Sequence, residues 1–276
     1  MGGTGVIDLH SHSLASDGQF TPAEVAARAR AAGCAVWALC DHDTVAGLEA
    51  AGDAARGVNV RLVPGIELSA FLERHEIHLL GHFVDPRSPS LRDFEDFLAA
   101  RRRERMKEIV VRLAAAGVHV TEAAIERHSG GKTIGRPHVA RAIVESGAVA
   151  TVKEAFDRFL GEGQPAYVQR YRLEAADAVA LVRGAGGTVT IAHPGVSRLE
   201  IGEVARLAAA GVVGIEVLHP DQNPSVREKY RRAAEAHGLV CTAGSDFHGP
   251  DISPDRHLGM VSMTPEALGE LERRRP

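Results

Sequence analysis

The chain has 276 residues, 45% hydrophobic and 25% charged, with a formal net charge of -4. This is the composition of an ordinary folded protein, large enough for one α/β domain or a domain carrying an insertion. The charge argues against a protein that grips long duplex nucleic acid by bulk electrostatics.

The N-terminus lacks the basic start and apolar core of a signal peptide, and no stretch approaches the roughly 18 apolar residues of a membrane span. A cytoplasmic protein without membrane attachment is expected. Cys34, Cys40 and Cys241 show no Cys-x-x-Cys spacing and read as buried free thiols.

In chain order, a short apolar strand (Val6, Ile7, Leu9) ends in His10-Ser11-His12, with Asp17 and Gly18 following. Residues two apart in a strand share a face, so His10 and His12 can offer two imidazoles to one ion. Thr21-Pro22-Ala23-Glu24 carries the N-cap, first-turn proline and capping-box glutamate of a helix that runs to Gly33. Val36–Cys40 is the next strand and leads into Asp41-His42-Asp43. A second helix precedes Val60–Val63, which ends in Pro64-Gly65-Ile66-Glu67. The strand Glu76–Leu80 carries His78 inside it, with Gly81 and His82 behind.

From Ser90 the pattern turns helical and arginine-rich, including Arg101–Arg105, a charge run expected to be an exposed helix face laced with Glu104 and Glu108. We read 92–185 as a helical insertion between barrel segments 1–91 and 186–276. Within it, Gly135-Arg136-Pro137-His138 opens a helix, and Thr151 with Glu154 forms another capping box. Strands then resume at Thr188–Ala192 (followed by His193), Val213–Leu218 (His219) and Leu239–Ala243 (Asp246 and His248). Thr264-Pro265-Glu266 caps a last helix.

Seven apolar strands separated by helices predict parallel strands with crossover connections, closed into an α/β barrel. Active sites of such barrels lie at the C-terminal ends of the strands. Six of the seven ends here carry His, Asp or Glu, and the seventh strand holds His78. Nitrogen and oxygen donors without thiolate suit manganese, iron or zinc. The donors are too many for one ion, so a cluster of two or three divalent ions is expected, with Glu67 or Asp246 suited to bridging. Such a cluster makes hydrolysis the expected chemistry. An amidohydrolase built on a carboxylated lysine would need a lysine at a strand end, and Lys107, Lys132, Lys153 and Lys229 are not so placed.

Together, Asp8-Leu9-His10-Ser11-His12, Asp41-His42-Asp43, Pro64-Gly65-Ile66-Glu67, His78, Ala192-His193-Pro194 and Gly244-Ser245-Asp246-Phe247-His248 resemble the PHP (polymerase and histidinol phosphatase) family. The resemblance implies a distorted (β/α)7 barrel with up to three ions, manganese before zinc or iron. One would be held by His10, His12, Glu67 and Asp246, a second by Glu67, His78 and His193, a third by Asp17, His42 and His248. Many relatives carry a histidine where Asp17 stands. His82 competes with His78, which its in-strand position and the resemblance favour.

The insertion with Arg136 and His138 looks like the subfamily that removes phosphate from nucleoside 3′,5′-bisphosphates and trims short 5′-phosphorylated RNA. The resemblance therefore implies a small nucleotide or short oligonucleotide substrate. It implies a metal-bridging hydroxide as attacking group and release of AMP from adenosine 3′,5′-bisphosphate. No obligate protein partner is expected.

Arg136, beside a proline-started helix, is suited to a phosphate. His138 either orients substrate or caps its helix, and Lys132 either meets phosphate or is solvated. His219, His193 and Asp246 are the candidates for catalysis, with His219 placed to contact the scissile phosphate or protonate the leaving oxygen. Cyclic ribose phosphate or histidinol phosphate hydrolysis, and a non-catalytic metal-binding module, are the alternatives.

Overall fold

The computed structural model describes residues 5–129 and 135–276. Two compact units divide the chain, one formed by residues up to Arg92 together with Arg172–Pro276, the other by Asp93–Tyr171. In order, the elements are β1 Val6–Asp8, α1 Pro22–Ala31, β2 Cys34–Leu39, α2 Leu48–Val58, β3 Arg61–Leu72, β4 His75–His82, α3 Pro89–Ala115, α4 Glu122–Ser129, α5 Arg136–Glu145 and α6 Val152–Ala155. A π-helical turn, Phe156–Leu160, continues α6. Then come α7 Ala175–Gly184, β5 Thr188–Ile191, α8 Ile201–Ala209, β6 Gly214–Leu218, α9 Pro224–His237, β7 Val240–Ala243 and α10 Pro265–Arg273.

The seven strands form one sheet in sequence order. Its two ends meet beyond the strands themselves. Leu9 N–H donates to Ala243 O at 3.0 Å, Asp246 N–H to His10 O at 2.9 Å and His12 N–H to Phe247 O at 2.9 Å. The sheet thus closes around an interior to which Ile7, Ala38, Val63, Leu80, Ala192 and Val240 contribute.

The expectation of uniformly parallel strands is corrected at β4, which runs antiparallel to both β3 and β5. Only Glu73 and Arg74 separate β3 from β4, whereas a parallel return needs a crossover of about a dozen residues. Glu73 has a φ of 57°, the left-handed turn such a tight hairpin uses. Reversal of β4 has a consequence for the site: its N-terminal half, not its C-terminal end, lies at the rim. That is why His78 sits inside a strand.

Local sequence explains the helix starts. Thr21 Oγ1 accepts the Glu24 N–H while Glu24 Oε2 accepts the Thr21 N–H at 2.8 Å. Thr151, Asn223 and Thr264 cap α6, α9 and α10 by accepting the N–H of the residue three on, Glu154, Val226 and Ala267; the capping box expected at Thr151 is altered, because Glu154 Oε2 accepts the Ala150 N–H. The second unit has its own core, in which Met106, Ile109 and Leu113 of α3 recur at helical spacing and meet Ile125, Val139, Ile143, Phe159 and Leu160. The sequence boundary at 185 and the unit boundary at 172 differ by the length of α7, because α7 packs on β3, β4 and β5.

Candidate metal centre

Glu67 is the hub. Its side chain is 1% exposed and its two oxygens divide the histidines between them. Oε2 lies 3.3 Å from His10 Nε2, 3.1 Å from His12 Nε2 and 3.3 Å from His42 Nδ1. Oε1 lies 2.9 Å from His78 Nδ1 and 3.1 Å from His193 Nε2. The loop after β2 is pinned beside β3, with Asp43 N–H donating to Glu67 O and Glu67 N–H to Asp41 O, which carries His42 over the carboxylate. The hairpin register sets Glu67 opposite Leu80 and Ser69 opposite His78, so His78, Leu80 and His82 share the interior face. His82 lies deeper, and its Nε2 donates to Leu9 O at 2.9 Å.

Asp246 closes the other side. Its Oδ1 is 3.4 Å from His10 Nε2 and 3.2 Å from His12 Nε2. Asp17, whose side chain is more than half exposed, stands 3.4 Å from His248 Nε2, 3.7 Å from His12 Nδ1 and 3.8 Å from His42 Nε2. Three groups of side chains therefore bring donor atoms within reach of a common point: His10, His12, Glu67 and Asp246; His42, Glu67 and His78; and His12, Asp17, His42 and His248. His193 reaches Glu67 Oε1 without joining one of these groups.

The donor chemistry fits cations. His10 and His12 turn Nε2 atoms toward each other at 3.1 Å. Among the described residues, buried Glu67 Oε2, His12 Nδ1, His42 Nδ1 and His193 Nδ1 have no hydrogen-bond partner, and such orphans call for an ion or water. Without cations, the imidazoles and carboxylates charge each other. Burial opposes protonation of His12, but the Asp246 and Glu67 carboxylates beside its Nε2 raise it to about 10. Burial also opposes ionisation of Glu67, yet His42 and His10 hold its carboxyl well below the ordinary range, and His10 and His12 do the same for Asp246. Burial leads in lowering His42, to about 4.

A PHP-domain model matches residues 8–175. The chain belongs to the PHP family. It is 38% identical over 251 residues to a 3′,5′-nucleoside bisphosphate phosphatase of Chromobacterium violaceum, covering 88% of this chain and 87% of that one. It is 35% identical over 251 residues to the 5′-3′ exoribonuclease Rnm of Salmonella typhimurium, covering 89% and 86%. A solved structure from Chromobacterium violaceum, described as an amidohydrolase with bound sulfate and no metal, superposes with a TM-score of 0.77 at 36% identity over 97% of this chain and 96% of that one.

In this PHP protein, several buried carboxylates that brace the candidate site are not apparent from the sequence. Glu216, in the middle of β6, receives His10 Nδ1 at 3.1 Å on Oε1 and the His193 N–H at 2.8 Å on Oε2. A carboxylate behind a ligating histidine fixes its tautomer and leaves Nε2 for the ion. The available signal was an acid inside the apolar run Gly214-Ile215-Glu216-Val217-Leu218. Asp8 Oδ1 takes the Ser245 N–H and Oδ2 the Gly259 N–H, tying β1 to the loop after β7. Asp41 anchors the Ser13 N–H and the Ser13 and Ser16 hydroxyls.

His219 is fully buried. Its Nδ1 accepts the Asp221 N–H at 3.2 Å, so the proton of the neutral ring sits on Nε2, 3.5 Å from Asp246 Oδ2. In the second unit, Arg136 faces the rings of Phe156 and Tyr167 and lines a small cavity with Arg102 and Arg105. Burial foremost, then the charge of Arg136, lowers Arg105 to about 10. His138 Nδ1 accepts the Gly135 N–H at 3.0 Å and so caps α5. Of the arginine run, Arg101 pairs with Glu104, while Arg105 Nε donates to Val168 O. Lys132 lies outside the described residues.

Proposed function

We propose that this PHP protein is a metal-dependent phosphoesterase that removes the 3′-phosphate of nucleoside 3′,5′-bisphosphates, giving AMP from adenosine 3′,5′-bisphosphate. The observation that carries the reading is the division of Glu67 between two sets of histidines, the arrangement of a bridging carboxylate. The similarity to the Chromobacterium violaceum phosphatase supports the substrate class.

The ligand sets are His10, His12, Glu67 and Asp246; Glu67, His78 and His193; and Asp17, His42 and His248. Divalent ions held there, manganese first, would polarise phosphoryl oxygens and lower the pKa of water from about 16 to about 7.

The protein's own residues do the rest. Glu216 holds His10 and the backbone of His193 in place. The Nε2 proton of His219 is directed into the centre along Asp246 and is the group we assign to the leaving oxygen; His193 lines the same wall, its ring centroid 5.5 Å from that of His219. Among the described residues Arg136 and Arg105 donate to the backbone carbonyls of Leu160 and Val168 and pair with no carboxylate, which suits them to a phosphate.

Metal-stripped protein reconstituted with Mn²⁺ is expected to release inorganic phosphate from adenosine 3′,5′-bisphosphate. Turnover confined to histidinol phosphate or an unrelated ester would overturn the assignment. The 35% identity to an exoribonuclease favours a second reading, trimming of short 5′-phosphorylated RNA. Rates on oligonucleotides of one to five residues separate the two: a phosphatase falls off after the bisphosphate, an exoribonuclease does not.

A further inference from the structure

We infer that Arg256 is a positioning residue of the metal centre, fixing Asp246 so that one carboxylate oxygen is turned to the ions and the other is held away from them. The inference rests on the reading above insofar as that reading needs divalent cations at His10, His12, Glu67 and Asp246.

The geometry is a closed ring of four residues from two loops, His219 and Asp221 after β6 and Asp246 and Arg256 after β7. Arg256 Nη1 donates to Asp246 Oδ2 and also to the Asp246 carbonyl oxygen, the latter at 3.2 Å. Its Nη2 donates to Asp221 Oδ2. The Asp221 N–H donates to His219 Nδ1 at 3.2 Å, and His219 Nε2 returns to Asp246 Oδ2 at 3.5 Å. Oδ2 is thereby engaged by two N–H donors, while Oδ1 alone faces the His10 and His12 Nε2 atoms.

Three features make this more than a surface ion pair. The Arg256 side chain is 18% exposed and that of Asp246 only 10%, so solvent screening of the contact is weak. Asp246 holds a φ of 50°, a left-handed conformation unusual for a residue with a side chain, and Arg256 grips its carbonyl as well as its carboxylate. The ring also fixes the His219 tautomer, because the Asp221 backbone that donates to Nδ1 belongs to the residue whose carboxylate anchors Nη2.

A guanidinium fork spans two carboxylates at once, which an ammonium on a flexible stem does not. Released from the ring, Asp246 could rotate and present either oxygen, or both, to the ions. Carboxylates and carbonyls behind ligands of this kind are worth roughly 10–100-fold in metal affinity or activity.

The test compares wild type, R256M, R256K and D221N, stripped of metal and titrated with Mn²⁺ in a calorimeter, with kcat and KM measured on the reconstituted proteins. For R256M, Mn²⁺ binding weakened by roughly 10–100-fold at one site is expected, with kcat reduced and KM for the nucleotide nearly unchanged. R256K should recover little of it. Millimolar guanidinium added to R256M should recover part, which a disordered loop would not allow.

D221N leaves Arg256 in place without its charged far anchor, and a severalfold loss of Mn²⁺ affinity is expected. It carries the test if R256M does not fold. Unchanged Mn²⁺ affinity with only a lower melting temperature overturns the inference and makes Arg256 a loop clasp; tighter Mn²⁺ binding overturns it too, by making Arg256 an electrostatic opponent of the ions. Wild type that binds no Mn²⁺ overturns the metal centre itself, and the inference with it.

Discussion

Glu67 carries five histidines on two oxygens, and its replacement is the sharpest test at the scale of a single residue. Glu67→Gln keeps the shape, removes the charge and puts an NH₂ group where an ion would sit. Its cost in Mn²⁺ affinity and kcat should exceed the roughly 10–100-fold that supporting residues typically cost, read by calorimetry and phosphate release. Glu216→Gln should fall within that smaller range, because the amide can still meet one of its two contacts, His10 Nδ1 or the His193 N–H, but not both. Most ligand candidates were legible from sequence because an imidazole or carboxylate at the end of an apolar strand has few structural reasons to be there. Glu216, Asp8 and Arg256 were not: they act through a second residue, and that relation exists only once distant loops are brought together.

Among the elements, β4 shows what periodicity cannot supply. Its alternation was readable, but its direction is set by the two-residue connection from β3, and direction decides which of His78 and His82 faces the rim. His82 is the buried one, lowered to about 4 by burial foremost. Its folded pKa lies below the unfolded value near 6.5, so the folded state binds fewer protons. Stability from keeping His82 neutral is complete above about pH 6.5, is lost as pH falls toward 4, and does not fall further below that. In metal-free protein, denaturant melts should show a shallower loss over this window for His82→Gln than for wild type, the difference being on the order of 3 kcal/mol at most. The turn after β7 gives a second test. A Cβ on Gly244 would lie 2.2 Å from His10 Cβ and 2.4 Å from Glu216 Oε1. Gly244→Ala should destabilise the fold by about 1–3 kcal/mol and weaken Mn²⁺ binding together, seen in thermal melts and calorimetry.

For the whole molecule, the architecture follows from closing a sheet so that loops far apart in sequence converge. The α/β class and the interruption of the barrel by helices were readable from changes in periodicity near Ser90 and Thr188. The place of α7 was not, because an amphipathic helix reads the same whether it covers a sheet or packs with other helices. Ions bound only by the folded centre should stabilise the protein by about 2.7 kcal/mol at a free concentration 100 times Kd. Melting temperature should therefore rise with Mn²⁺ in wild type and much less in Glu67→Gln.

The central claim is that these converged loops form a metal centre that cleaves the 3′-phosphate of a nucleoside bisphosphate. The most direct measurement is chromatographic identification of the nucleotide formed from adenosine 3′,5′-bisphosphate by metal-stripped wild type as Mn²⁺ is restored. AMP retaining its 5′-phosphate, appearing in step with added Mn²⁺, is the expected result. Adenosine 3′-phosphate as product, or no turnover with the ions bound, would contradict it.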